Sequence, residues 1–118
     1  MKRVYIDSLR DMLDNAKRAI RFAKGMNYKA FEKDEKTIYA VIRAVEIIGE
    51  AAGNIPEEVR AKYPDIPWRD VRGMRSKLVH QYFGINMEVV WQTVREDIPA
   101  LVVALTKIVK QEKKDEDK

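Results

Sequence analysis

Ile38-Tyr39-Ala40-Val41-Ile42-Arg43-Ala44-Val45-Glu46-Ile47-Ile48-Gly49-Glu50-Ala51-Ala52 places apolar side chains at 38, 41, 45, 48 and 52, spaced by three and four. That spacing is the repeat of one helix face, whereas a half-buried strand alternates every second residue. Asp34 stands where such a helix would start, and Gly53-Asn54-Ile55-Pro56 closes it. On the N-terminal side, Tyr5, Leu9, Met12, Ala16, Ile20 and Ala23 repeat the pattern up to Gly25, and Asn27-Tyr28-Lys29 reads as the link between the two helices. On the C-terminal side, Pro56 suits the first turn of a short helix from Glu57 to Lys62, with its carboxylates near the positive dipole end. Tyr63-Pro64-Asp65-Ile66-Pro67 breaks that helix. Pro67-Trp68 opens another, at the N1 position that proline favours, with Val71, Met74 and Leu78 on one face. Gly84 allows a turn, and Asn86 caps a last long helix carrying Val90, Val94, Ile98, Leu101, Leu105 and Ile108, which Pro99 should bend or break.

No segment alternates with turn chemistry at its ends, so no sheet is predicted. The pattern predicts an all-α fold, an up-and-down bundle of four main helices plus a short one. At 118 residues the chain is one domain, expected over 1–109. In the segment 110–118, four lysines balance Glu112, Asp115, Glu116 and Asp117, and this charged tail is expected to fray. The absence of cysteine excludes a disulfide framework, a thiolate nucleophile and a zinc-thiolate site, and fits an intracellular, cytoplasmic protein. No apolar run approaches the roughly 20 residues of a membrane span, and Met1-Lys2-Arg3-Val4-Tyr5-Ile6-Asp7 lacks a signal-peptide core, so the expectation is a soluble protein without a membrane partner.

The formal charge is +4, and the balanced tail contributes none of it. Arg69, Arg72, Arg75 and Lys77 cluster within nine residues against Asp70 alone, a patch that attracts polyanions. It leads into Arg75-Ser76-Lys77-Leu78-Val79-His80-Gln81-Tyr82, which contains the only histidine of the chain. Imidazole exchanges protons near neutrality, and a guanidinium, a hydroxyl and a phenol stand close to it in sequence. That set suits cleavage of RNA by its own 2′-hydroxyl, with His80 as base or acid and Arg75 as a bidentate clamp on the nonbridging phosphate oxygens. On a regular helix His80 lies about 140° around from Arg75 but only about 40° from Ser76. Arg75 then joins the site by wrapping around, by a loosening of the helix near Gly84, or from a second subunit. The last option predicts a homodimer.

Other readings stand beside this one. A lone histidine near a helix end is often structural, and Tyr82 is readily a half-buried amphipathic ring. Arg43, Glu46 and Glu50 form a polar stripe for which an intrahelical ion-pair ladder is favoured over a role in positioning Arg75 or His80. Trp68 and Trp91 read as core or interface anchors. One histidine and no paired acidic motif argue against a dedicated metal site or cofactor.

Arg75-x4-His80-x-Tyr82 resembles the signature of the HEPN superfamily, and the whole chain resembles its HepT-like branch, the toxin half of toxin–antitoxin pairs. Ile47-Ile48-Gly49-Glu50-Ala51-Ala52, Pro64-Asp65-Ile66-Pro67-Trp68, Gly73-Met74-Arg75 and Val90-Trp91 followed by Asp97-Ile98-Pro99-Ala100-Leu101 are similar to that branch in order and spacing. The resemblance implies a four- to five-helix fold, a homodimer whose two motifs line a shared cleft, and metal-independent RNase activity. Beside the helix spacing, which adds Ser76 as a supporting hydroxyl, and the charge cluster, which offers Arg69, Arg72 and Lys77 for binding RNA, the resemblance makes Arg75 and His80 the catalytic pair. It also implies that Tyr82 accepts AMP groups from a nucleotidyltransferase antitoxin, which silences the toxin. Ser76 departs from the family pattern, which usually has asparagine or another strongly polar residue there, and a hydroxyl offers shorter reach and fewer hydrogen bonds than an amide. The alternative is a non-catalytic helical subunit that binds a nucleotidyltransferase or a nucleotide. A general nucleic-acid-binding protein fits less well, because the basic residues form no long stripe.

Overall fold

Asp34 ends one helix and starts the next. Its amide donates to Phe31 O at 3.0 Å, and its carboxylate accepts the Thr37 amide at 3.0 Å, a bond that holds the carboxyl below its usual pKa. The computed structural model describes residues 2–80 and 84–117 and is all-α. Three long helices carry it: α1 (Lys2–Ala23), α3 (Glu35–Gly53) and α8 (Ile98–Asp117). Between them lie the short helices α2 (Tyr28–Lys33), α4 (Glu57–Lys62), α5 (Trp68–Arg72), α6 (Met74–Leu78) and α7 (Met87–Gln92). α1 packs against α3 on one side and α8 on the other. Leu9, Met12 and Ala16 of α1, Val41, Val45 and Ile48 of α3, and Ile98 and Leu105 of α8 are fully buried, so the stripes predicted from spacing form the core. No helix among the described residues is long and apolar enough to cross a membrane.

The caps explain where the shorter elements lie. Asn27, expected in a link, accepts the Ala30 amide at 2.9 Å and starts α2. Pro67 sits one position earlier than expected, at the N-cap of α5. Asn86 caps α7 as its sequence position predicts, accepting the Val89 amide at 3.3 Å. Gly25 and Gly84 both turn the chain with φ of +79°, a conformation that costs glycine little.

The segment from Pro67 to His80 departs from the single helix expected of it. At Gly73 the amide bonds back to Arg69 O at 3.2 Å, ending α5, while its carbonyl accepts the Ser76 amide at 3.1 Å, beginning α6. Val71 and Leu78 are nevertheless buried, because the one-residue break preserves the apolar face. α6 stops at Leu78, whose carbonyl accepts the Asn86 amide at 2.8 Å instead of continuing the helix. The backbone of Val79–His80 (β1) is extended and pairs antiparallel with Gly84–Ile85 (β2), Val79 opposite Ile85 and His80 opposite Gly84. This ladder is too short to leave a two-residue alternation in the sequence. It corrects both the expectation of no strand pairing and the placement of His80 on a helix.

Pro99 acts one turn earlier than its own position. Residues Thr93–Asp97 form a π-helical turn joining α7 to α8, in which the Ile98 amide reaches Thr93 O. Proline lacks an amide hydrogen, and its ring crowds the carbonyl four residues back, so the turn before it widens. The charged tail does not fray as expected: α8 continues to Asp117 and buries Glu112 to 1% exposure. The Glu112 carboxylate accepts Tyr5 Oη at 2.7 Å and Lys62 Nζ at 2.7 Å, and also the Tyr63 hydroxyl.

Candidate active site

Gly49 makes the site possible. A Cβ at this position would stand 3.1 Å from Arg72 O, so only glycine lets the end of α5 approach α3 this closely without displacement. The approach carries Arg75, in the first turn of α6, across to Glu46 of α3. Arg75 Nε donates to Glu46 Oε2 at 2.9 Å, a contact between residues 29 apart in sequence. The other carboxylate oxygen of Glu46, Oε1, lies 3.8 Å from Arg43 Nη1, which is also 3.8 Å from Glu50 Oε1. The polar stripe on α3 is therefore the expected ladder, and it also holds Arg75, the role that spacing alone had ranked second.

An open cleft of about 340 Å³ lies over these residues, lined by Glu46, Gly49, Glu50, Arg72, Arg75 and Ser76. Glu46 takes the Nε hydrogen, and among the described residues the four terminal N–H groups of the Arg75 guanidinium have no hydrogen-bond partner; a planar fork of this kind matches a phosphate. The Arg75 side chain is 53% exposed, so the ion pair adds little to stability and its effect is to fix direction.

The structure divides the predicted set. Arg72, Arg75 and Ser76 share the cleft. Lys77 instead lines a second cleft of about 350 Å³ between α5, α6 and α8, together with Asp65, Asp70 and Asp97. Arg69 is exposed and lines neither of these clefts. The backbone of His80 stands two residues beyond the end of α6, so the 40° relation to Ser76 on a regular helix does not apply. Tyr82 lies outside the described residues. Trp68 is buried and donates Nε1–H to Tyr63 O at 3.0 Å, while Trp91 packs on Phe31 with ring centroids 5.1 Å apart and on Tyr28 at 6.2 Å. Both tryptophans are packing anchors. Among the described residues, no three His, Asp or Glu side chains converge to hold a metal ion.

Positioning of Arg75 by the α3 stripe is the reading that spacing places second to an intrahelical ladder, although the sequence carries a signal for it at Glu46. Glu46 sits one turn before Gly49, the small residue that marks a close approach on the same face of α3.

These features define a helical protein with an arginine-lined, carboxylate-braced cleft beside a helix terminus. The chain belongs to the HepT-like ribonuclease family, whose model, described as "Ribonuclease HepT-like", matches residues 12–108. It is 46% identical over 101 residues to a protein of Thermococcus cleftensis named "Probable ribonuclease HepT", covering 86% of this chain and 92% of that one. It is 44% identical over 110 residues to "Putative RNase MJ1216" of Methanocaldococcus jannaschii, covering 92% and 91%. A third relative, "Putative RNase TTE0752" of Caldanaerobacter subterraneus, is 39% identical over 105 residues, covering 89% of this chain and 94% of the relative. No solved structure gives a significant match.

Proposed function

We propose that this protein is a metal-independent endoribonuclease and the toxin of a toxin–antitoxin pair. The observation that carries the reading is the Arg75 guanidinium, braced by Glu46 at 2.9 Å, in a side chain that lines a cleft together with Arg72 and Ser76. The names of its relatives, all given as ribonucleases, agree with it. In the reaction, His80 removes the proton from a ribose 2′-hydroxyl, whose oxygen attacks the adjacent phosphorus. The bond to the 5′-oxygen then breaks, and that oxygen takes up a proton. Arg75 binds the nonbridging oxygens as negative charge gathers on them, which is where a fixed cation lowers the barrier most. The second proton transfer calls for another group, and a homodimer that faces two motifs across one cleft supplies it as the His80 of the second copy.

Silencing by a nucleotidyltransferase antitoxin belongs to the same proposal. AMP groups added to Tyr82, two residues beyond His80, would bring anionic phosphate to the site that RNA phosphate must occupy.

Cleavage of a labelled RNA by the purified protein with chelator present tests this reading. His80→Ala and Arg75→Ala are each expected to lower the rate by about 10²-fold or more while leaving the circular dichroism spectrum and the dimer mass unchanged. Cleavage that persists undiminished in both variants would overturn the assignment. Wild-type protein that does not cut RNA at any concentration would favour the non-catalytic binding subunit.

A further inference from the structure

We infer that Glu46 is a positioning residue for Arg75, and that the α3 stripe Arg43–Glu46–Glu50 sets the direction in which the guanidinium meets the RNA phosphate. The inference rests on the proposed role of Arg75 and adds to it a residue 29 positions away. Three observations carry it. Glu46 uses its two oxygens on different cations, Oε2 on Arg75 at 2.9 Å and Oε1 towards Arg43 at 3.8 Å, so the carboxylate is itself oriented. Among the described residues Arg75 is held through Nε alone, which fixes the plane of the guanidinium and leaves both Nη groups for a ligand. Gly49, one turn further along α3, lets Arg72 O come so close that an added Cβ would stand 3.1 Å from it, which brings the two helices together at this point.

Energy separates this role from a structural one. The Glu46 side chain is 29% exposed and that of Arg75 53%, so breaking the pair costs the fold little. A clamp free to swing, in contrast, misplaces positive charge by an ångström or more, and displacements of that size cost about 10²-fold in rate. The effect should appear in kcat more than in KM, because Arg72 and the rest of the cleft still attract the substrate while the transition state loses its aligned cation.

The test measures kcat and KM for cleavage of a short RNA by the full chain and its Arg75 and Glu46 variants. Arg75→Ala first checks the underlying reading: if it cleaves at the wild-type rate, the role of Arg75 fails and Glu46 has nothing to position. With Arg75→Ala inactive, Glu46→Ala is expected to lower kcat by about 10- to 100-fold with KM changed by less than about threefold. Glu46→Gln retains an acceptor for the Nε hydrogen without the charge and is expected to recover most of that loss. An unchanged or raised kcat in Glu46→Ala overturns the inference, as does a Glu46→Gln variant no better than Glu46→Ala. Thermal melts of all variants within about 2 °C of wild type are the expected control; a Glu46→Ala melt lowered far beyond that would make the residue structural and equally overturn it.

Discussion

Glu112 accepts hydrogen bonds from three side chains, Tyr5 of α1, Lys62 at the end of α4 and Tyr63 just past it, and its carboxylate is cut off from water. Burial pushes its pKa up, but the bonds from Lys62, Tyr63 and Tyr5 outweigh burial and hold the group below its ordinary value. In return, its hydrogen bond raises the Tyr5 phenol to about 12 and pushes the Lys62 ammonium up; the Tyr63 phenol is raised by burial first and then by the same bond. A carboxyl whose pKa is lower folded than unfolded contributes stability above its unfolded value, about 4.3, and loses it as pH falls through the folded value. The melting temperature should therefore drop as pH is lowered from about 5 into the range below 4. In Glu112→Gln it should start lower and change less over that window, as followed by circular dichroism. Glu112 is not legible as a partner in the sequence, and for Glu46 the positioning of Arg75 stands there only as the less favoured reading. The charge balance of 110–118 hid a buried acid among exposed ones, and periodicity along one helix does not report contacts made through space.

Among the elements, the long helices were legible because three- and four-residue spacing runs unbroken through them; Asp34 caps α3 where it should, and Asn86 caps the short α7 where the start of one long helix was expected. The motif segment was only half legible. Its apolar face was correct, but Gly73 breaks the helix without disturbing that face, and the two-residue ladder of Val79–His80 on Gly84–Ile85 is shorter than any pattern can show. Pro99 was recognised as a disturbance, although the turn that yields to it lies before it. The packing of α5 on α3 yields its own prediction. Gly49→Ala adds a Cβ 3.1 Å from a backbone carbonyl that cannot move alone, so α5 must shift by a few tenths of an ångström. The expected cost is about 1–2 kcal/mol in urea unfolding, together with a loss of cleavage larger than that modest destabilisation would explain. Gly73→Ala is the control. A Cβ there meets Arg69 O at an ordinary 3.6 Å, and the variant should keep its cleavage activity.

At the scale of the whole molecule, the family match ends at residue 108, yet the helix that carries it continues to Asp117 and places Glu112 beneath Tyr5 and Tyr63. Removing residues 110–118 should therefore lower the melting temperature by about 10 °C, the equivalent of roughly 2 kcal/mol for a domain this size, where loss of a frayed tail would change nothing. Tyr5 near the start of α1 is bonded to Glu112 near the end of α8, so the first and last helices meet at their outer ends. The chain is in this sense almost a ring. A short flexible linker from Asp117 back to Lys2 would close it, and reopening at Gly25, in the turn between α1 and α2, would give a circularly permuted protein with the same core and the same Arg75 cleft.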